Sequence, residues 1–438
     1  MDKFKTLIAL FIISTLSCTN TIHKKNDQLE SKPVKVELKN SNGHYQLYRE
    51  GKPYFIVGAG SEIEKIPILA ENGANSCRSW STETNNYSAQ EFLDLALKYN
   101  LTVTLGLDLK KERKGFDYND TIKVKKQFEY IKNEVLKYKD HPALLVWGIG
   151  NELNLNYTNP KVWDAVNKVA KMIHEIDPYH PTTTMLAGIK KYDVDEIAKR
   201  CPDLDFLSIQ MYGDLPNLQL RIKESGYQGP YIVTEWGATG HWEVAKTSWN
   251  APIEQNSREK AESYIHRYRV AIESDSLHCL GSYVFYWGQK QERTPTWYGL
   301  FTEDGDPTET IDAMHFLWKS EWPENRAPRL DSLKLNGLSA FDNVELNKSQ
   351  NYTAEVFVHN FENDKLNYKW EILYESTDLG VGGDHESKPE SLEGLITNLN
   401  KSIIEFKTPE EKGAFRLFVY VKDDQNKVAV ANIPFYIN

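Results

Sequence analysis

Two short segments hold the residues best suited to do chemistry. TrpGlyIleGlyAsnGlu ends at Glu152, and IleValThrGluTrpGly is centred on Glu235. Each sets a carboxylate at or just past a run of strand-forming residues. The chain contains 62 Asp and Glu among 438 residues, so the position of these two, not their presence, is the signal. If the strands belong to one barrel, both carboxylates face the same mouth. Two carboxyl groups across a cleft can divide the labour of opening an acetal between sugars. A separation near ~5–5.5 Å makes such a pair retaining, through a covalent intermediate. Glu235 would then attack the anomeric carbon, while Glu152 first protonates the leaving oxygen and later deprotonates water. A buried ion-pair arrangement is the competing account of two Glu at strand ends.

The elements that must position them follow from periodicity. Apolar, strand-like runs occur at 55–58, 75–80, 101–107, 143–148, 182–186, 206–212, 231–235 and 282–287. Their apolar residues run on without alternation, as in a parallel sheet covered on both faces. Amphipathic stretches at 88–99, 124–138, 162–176, 258–273 and 307–319 fall between or after them, the first behind a Ser88 cap. Eight strand–helix units predict an α/β fold, a (β/α)8 TIM barrel over 34–322. A doubly wound sheet lacks the GlyXGlyXXGly turn after its first strand. In a barrel, reactive side chains sit at the C-terminal strand ends; Glu152 follows strand four and Glu235 ends strand seven. A proline-containing linker at 323–330 leads to alternating apolar and polar runs over 331–438, which predict an Ig-like β-sandwich with Trp370 in its core.

Composition narrows the function classes. The net charge of −10, without a basic patch, argues against nucleic acid as a partner. Eleven Trp and 24 Tyr are many, and those in loops offer flat rings to sugar faces. At the N-terminus, Lys3 and Lys5 precede the apolar run Leu7–Ile13 and ThrLeuSerCys, ending at Cys18. This resembles a bacterial lipoprotein signal over 1–18, with Thr15 departing from the usual Leu. Cys18 would be the lipidated residue and 19–33 a polar tether, giving an exported lipoprotein on the outer membrane, cell surface or periplasmic face. Cys77, Cys201 and Cys279 have no metal spacing and read as small buried hydrophobes. His241 and His278 lack partner ligands, so neither metal nor cofactor is expected. The expected partner is a polysaccharide or oligosaccharide bound by a monomer.

The flanks of the two glutamates resemble the acid/base and nucleophile motifs of clan A glycoside hydrolases, which are retaining TIM-barrel enzymes. Four further positions join the resemblance. It implies that Asn151 binds the sugar 2-hydroxyl, that Arg78 supports the nucleophile, that Tyr212 hydrogen-bonds it, and that Trp287 is the platform beneath the reacting sugar. Trp80 and Trp236 are further substrate-binding candidates. The cluster GlyHisTrpGlu at 240–243, Trp249 and the loop TrpGlyGlnLysGlnGluArgThrProThrTrpTyrGly add Trp242, Trp249, Trp297, Gln289 and Glu292. With a barrel followed by an Ig-like domain, this is similar to the two-domain endo-β-1,3-glucanases of glycoside hydrolase family 158. It is also similar to barrels of the family 2 type, whose activities include β-galactosidase and β-mannosidase, although the N-terminal sandwich domains usual in family 2 have no counterpart in this sequence. The expected activity is hydrolysis of a β-glucan, with laminarin-type β-1,3-glucan preferred. A β-glucan transglycosylase and a non-catalytic glycan-binding lipoprotein are the alternatives.

Overall fold

A closed ring of eight parallel strands organises the computed structural model, which describes residues 32–438. In order, the barrel strands are Ile56–Ser61, Ser76–Arg78, Thr102–Leu107, Leu144–Asn151, Thr182–Ala187, Phe206–Gln210, Tyr231–Trp236 and Cys279–Trp287. Each pairs in parallel with its chain neighbours, and the eighth pairs with the first to close the ring. All eight runs read from the sequence are barrel strands. Their near-continuous burial explains why they lack alternation: one face packs into the barrel and the other under helices. The signal peptide, Cys18 and nearly all of the expected tether lie outside the described residues.

Helices cover the ring. Ala89–Lys98 begins at a capping box, in which Ser88 Oγ accepts from the Glu91 N–H and Glu91 accepts from the Ser88 N–H. Asn256 and Glu259 repeat the device at Ser257–Arg267. Residues 34–55, which the sequence analysis places within the barrel, include a three-stranded antiparallel sheet instead: Val36–Ser41, His44–Arg49 and Lys52–Tyr54. Val36 and Leu47 pack there against Ile56, Leu145, Phe206, Ile232 and Leu280 at the starts of barrel strands. This sheet seals the face opposite the site.

Beyond the barrel, two four-stranded sheets share one core that includes buried Trp370. The first sandwich strand, Arg329–Leu335, starts inside the stretch read as linker. Ala327 is buried, and its N–H donates to Asp312 at 2.7 Å. The two domains meet on a buried polar joint. Glu254 accepts from Lys260, Thr294, Thr296 and Asn432, the last belonging to the sandwich strand Val428–Ile437. Sandwich Arg416 donates to the barrel carbonyl of Pro252 at 2.9 Å. A buried charge so fully partnered is costly to separate, so the joint fixes the sandwich against the barrel.

Candidate active site

Strand seven delivers Glu235 into a ring of donors. Its Oε1 accepts from Arg78 Nη1 at 2.8 Å, Trp80 Nε1 at 2.8 Å and Gln210 Nε2 at 2.9 Å. Its Oε2 accepts from the Tyr212 hydroxyl at 3.0 Å. These donors come from the ends of strands two and six and the residues just beyond, and Arg78 is fully buried. One buried cation and three neutral donors stabilise the ionised carboxylate and fix both of its oxygens. Burial, with the charges of Glu235 and Glu152, pushes the Tyr212 hydroxyl well above the ordinary phenol value, so it stays protonated and donating.

Strand four presents Glu152 differently. The strand loses register against strand five between Gly148 and Asn151. Gly150 has φ +72°, and a Cβ there would lie 2.4 Å from Leu153 Cδ1. Glu152 itself is left-handed at φ 52°, with its N–H on the Met185 carbonyl at 2.9 Å. That conformation costs a non-glycine residue about 1 kcal/mol or more and aims the side chain into the mouth. Its carboxylate accepts no hydrogen bond among the described residues. Burial, then the charge of Glu235, pushes its pKa up to about 7 against the pull of Lys111, Arg113 and Arg78. The two carboxyl groups thus face one pocket in opposite settings, Glu235 held by four donors and Glu152 pushed toward holding a proton.

Asn151 links the two seats. Its Oδ1 accepts from Gln210 Nε2 at 2.7 Å and from Arg78 Nη2. With the oxygen fully used, its Nδ2 hydrogens remain for a ligand. The pocket has a volume of about 380 Å³. Of the residues singled out in the sequence, Asn151, Glu152, Glu235, Trp80, Tyr212, Trp242, Gln289 and Glu292 line it, while Arg78 lies beneath it. Trp242 is held there by its neighbour Glu243, whose carboxylate takes the backbone N–H groups of Gly213, Asp214 and Gly240 at 2.7–3.0 Å.

Four tryptophans belong elsewhere. Trp287 is fully buried and stacked on Trp318 of the eighth barrel helix, Glu309–Lys319, at 5.6 Å. Strand eight loses register between Val284 and Trp287, which shifts the inward positions and leaves Phe285 and Tyr286 lining the pocket in its place. Trp236 follows Glu235 in the strand and therefore faces outward, buried against Tyr264 and Tyr268. Trp297 is buried, with its Nε1 on the Thr239 carbonyl at 2.9 Å. Trp249 packs on Tyr436 of the sandwich at 5.7 Å, outside the pocket.

Several further residues of the site carry no motif in the sequence. Gln210 touches both Glu235 and Asn151; a lone amide at the end of the apolar run PheLeuSerIleGln is a signal that could have marked it. Lys111, Phe285, Tyr286 and Tyr298 also line the pocket, as do Gly382, Gly383 and Asp384 of the sandwich. Nothing in local sequence brings a loop some 150 residues past Glu235 to the same mouth.

Residues 68–319 match the family described as glycosyl hydrolases family 2, TIM barrel domain. No curated protein sequence matches the chain. Among solved structures, a glycoside hydrolase family 5 mannosidase from Rhizomucor miehei is 15% identical, covers 64% of this chain and 96% of its own, and has a TM-score of 0.46. The FMN-binding β-glucuronidase from Facaelibacterium prausnitzii L2-6 is 14% identical, covers 92% of this chain and 59% of its own, with a TM-score of 0.49. The GH53 catalytic domain from Ignisphaera aggregans is 14% identical, covering 65% of this chain and 99% of its own, with a TM-score of 0.45. Since the family match spans more than half of its 438 residues, the chain belongs to the glycosyl hydrolases of family 2, by way of their TIM-barrel domain.

Proposed function

We propose that this glycoside hydrolase works with retention, using Glu235 as nucleophile and Glu152 as acid and base. The observation that carries the assignment is the contrast of their seats: four donors hold Glu235 as an anion, whereas Glu152 accepts none and is pushed up to about 7. In the first step a Glu235 oxygen bonds to the anomeric carbon as the glycosidic C–O bond breaks, and the Glu152 proton passes to the leaving oxygen. In the second step Glu152 takes a proton from water, the water oxygen bonds to the anomeric carbon, and Glu235 leaves as a carboxylate. The free Nδ2 of Asn151 supports a role at the sugar 2-hydroxyl.

The substrate reading is a β-glucan, with laminarin-type β-1,3-glucan preferred. The barrel-plus-sandwich organisation and the aromatic mouth, with Trp80, Trp242, Phe285 and Tyr286, support it. Products released from laminarin, other β-glucans, mannan and galactan test the sugar, and proton NMR of the first product anomer tests retention. An inverted anomer would overturn the assignment of Glu235; cleavage of mannan or galactan without laminarin would overturn the glucan. Lengthened products would mark a transglycosylase. We further infer export as a lipoprotein anchored at Cys18. Labelled palmitate should enter the wild-type chain and not Cys18→Ser.

A further inference from the structure

The sandwich reaches into the active-site mouth. Segment 375–390, which follows the strand Asn367–Tyr374, carries Gly382, Gly383 and Asp384 to the wall of the catalytic pocket. Barrel cations pin it there. Asp384 pairs with Arg113 at 3.1 Å and with Lys114. The Gly382 carbonyl accepts from Arg113 at 3.2 Å, and the Gly383 carbonyl from Lys290 at 3.1 Å. Glu386 takes the Arg293 N–H at 2.6 Å and pairs with its guanidinium at 3.0 Å. Gly382 is left-handed, and a Cβ there would sit 2.6 Å from Leu155 and 3.0 Å from Arg113. A side chain there would be strained and would displace Leu155 and the Arg113 guanidinium that holds the loop.

On its other side, the same segment faces barrel residues 241–252 across a cavity of about 840 Å³. Trp242 lines both this cavity and the catalytic pocket, and the residue is 57% exposed. It is set edge-on to Tyr212 at 5.8 Å, one hydrogen bond from Glu235. Glu243 locks the loop that carries it. An exposed indole bridging two hollows is a ring face left open to a ligand running through both.

We propose that the barrel–sandwich cavity is a distal subsite for the saccharide chain, whose units beyond the catalytic pocket cross Trp242 and lie between barrel and sandwich. The lining suits an uncharged glycan. Lys246, Arg293, Lys388 and Lys412 face Glu375, Asp378 and Glu390, and Arg293 is itself paired with Glu386, so the cavity presents little excess charge. Thr377, Ser387 and Asn250 offer short polar groups to hydroxyls. The sandwich is on this account part of the substrate site and not only a support. The inference rests on the glycoside hydrolase reading, not on which sugar is cleaved.

The test is chain-length dependence. Gluco-, manno- and galacto-oligosaccharides of increasing length are assayed with wild-type enzyme, with Thr377→Trp and Ser387→Trp, which fill only the distal cavity, and with Trp242→Ala. Binding of the same compounds to Glu235→Ala is followed by calorimetry. Whichever series is cleaved supplies the comparison, so a wrong sugar leaves the subsite testable. Wild-type kcat/KM should rise with length past the units held in the pocket. Both fillers should remove about tenfold of that rise, the size of one aromatic stack with its hydrogen bonds, and leave the shortest cleaved substrate unchanged. Trp242→Ala should lose activity on all lengths and most on the longest. Length-independent turnover, or fillers that leave the rise intact while folding with wild-type Tm, overturns the subsite and leaves the roles of Glu152 and Glu235 standing. Neither cleavage nor binding in any series overturns both.

Discussion

The strand-seven and strand-four corners of the barrel mouth hold the same side chain under opposite conditions. Glu235 lies near the end of strand seven, which also shifts register against its neighbours, and is gripped by Arg78, Trp80, Gln210 and Tyr212. Glu152 follows a strand that has lost register, sits left-handed, and has burial without donors. Residue type fixes neither role; the number of hydrogen bonds offered to the charged form decides which carboxyl keeps a proton. Donors at one corner and burial without them at the other are together what an acid–nucleophile pair needs.

Breaking the strand-seven corner should cost most. Glu235→Ala should lower kcat by about 10⁴-fold or more, since no other group can form the covalent bond. The fully buried Arg78 would also lose its carboxylate partner. Measured on the best substrate of the glycan panel, a loss below tenfold would remove Glu235 from the chemistry. Glu152→Gln should cost about 10²–10⁴-fold, the range of general acid catalysis. This loss should shrink on an aryl glycoside with an acidic phenol leaving group, which needs no proton. Equal losses on both substrates would make the two corners equivalent and defeat the contrast.

How much of this contrast the sequence holds differs between the corners. Uninterrupted apolar runs mark every barrel strand, because parallel strands are buried on both faces. The motif flanks mark Glu152, Glu235 and the polar residues around them for the same reason: strand ends converge on the mouth in a barrel. Trp287 and Trp236 were misplaced because the side a residue faces depends on register, and one lost step in strand eight moves the aromatic lining to Phe285 and Tyr286. Trp297 packs into its loop, and Trp249 lines the barrel–sandwich cavity instead of the catalytic pocket, because loop and domain packing are encoded in no local pattern. The sandwich wall at Gly382–Asp384 was invisible because the alternation of its strands says nothing of the loop between them.

Smaller changes sharpen the comparison. Gln210→Leu removes one donor from Glu235 and one from Asn151 at similar volume, and should lower kcat/KM about 10–100-fold, as for hydrogen bonds to a charged group. Unaltered kinetics would show that Arg78, Trp80 and Tyr212 suffice. At the other corner the effect is on stability. A carboxyl raised above its ordinary value favours folding most at pH below that value, and the benefit is lost as pH rises through about 7. Glu152→Gln should therefore be more stable than wild type at pH 8, by about 1–2 kcal/mol, with the difference gone near pH 4. Denaturant titrations at the two pH values measure it. A variant less stable at pH 8 would mean that Glu152 is well solvated when charged.

Lys111 separates the charge of the strand-four corner from its burial. It follows strand three, lines the pocket and makes no ion pair or hydrogen bond through its ammonium among the described residues. Its positive charge pulls the Glu152 pKa down, while burial lowers its own. Lys111→Met keeps much of the apolar stem and deletes the charge. The acid must be protonated to act, so kcat/KM declines as pH passes the Glu152 pKa. Without Lys111 that pKa rises, and the alkaline limb of the pH profile should move upward by about half a unit, a shift expected of a single unbonded charge across a partly solvated pocket. Should the limb stay put while KM rises, the ammonium acts on the sugar and not on the acid, and burial with Glu235 alone would account for the proton on Glu152.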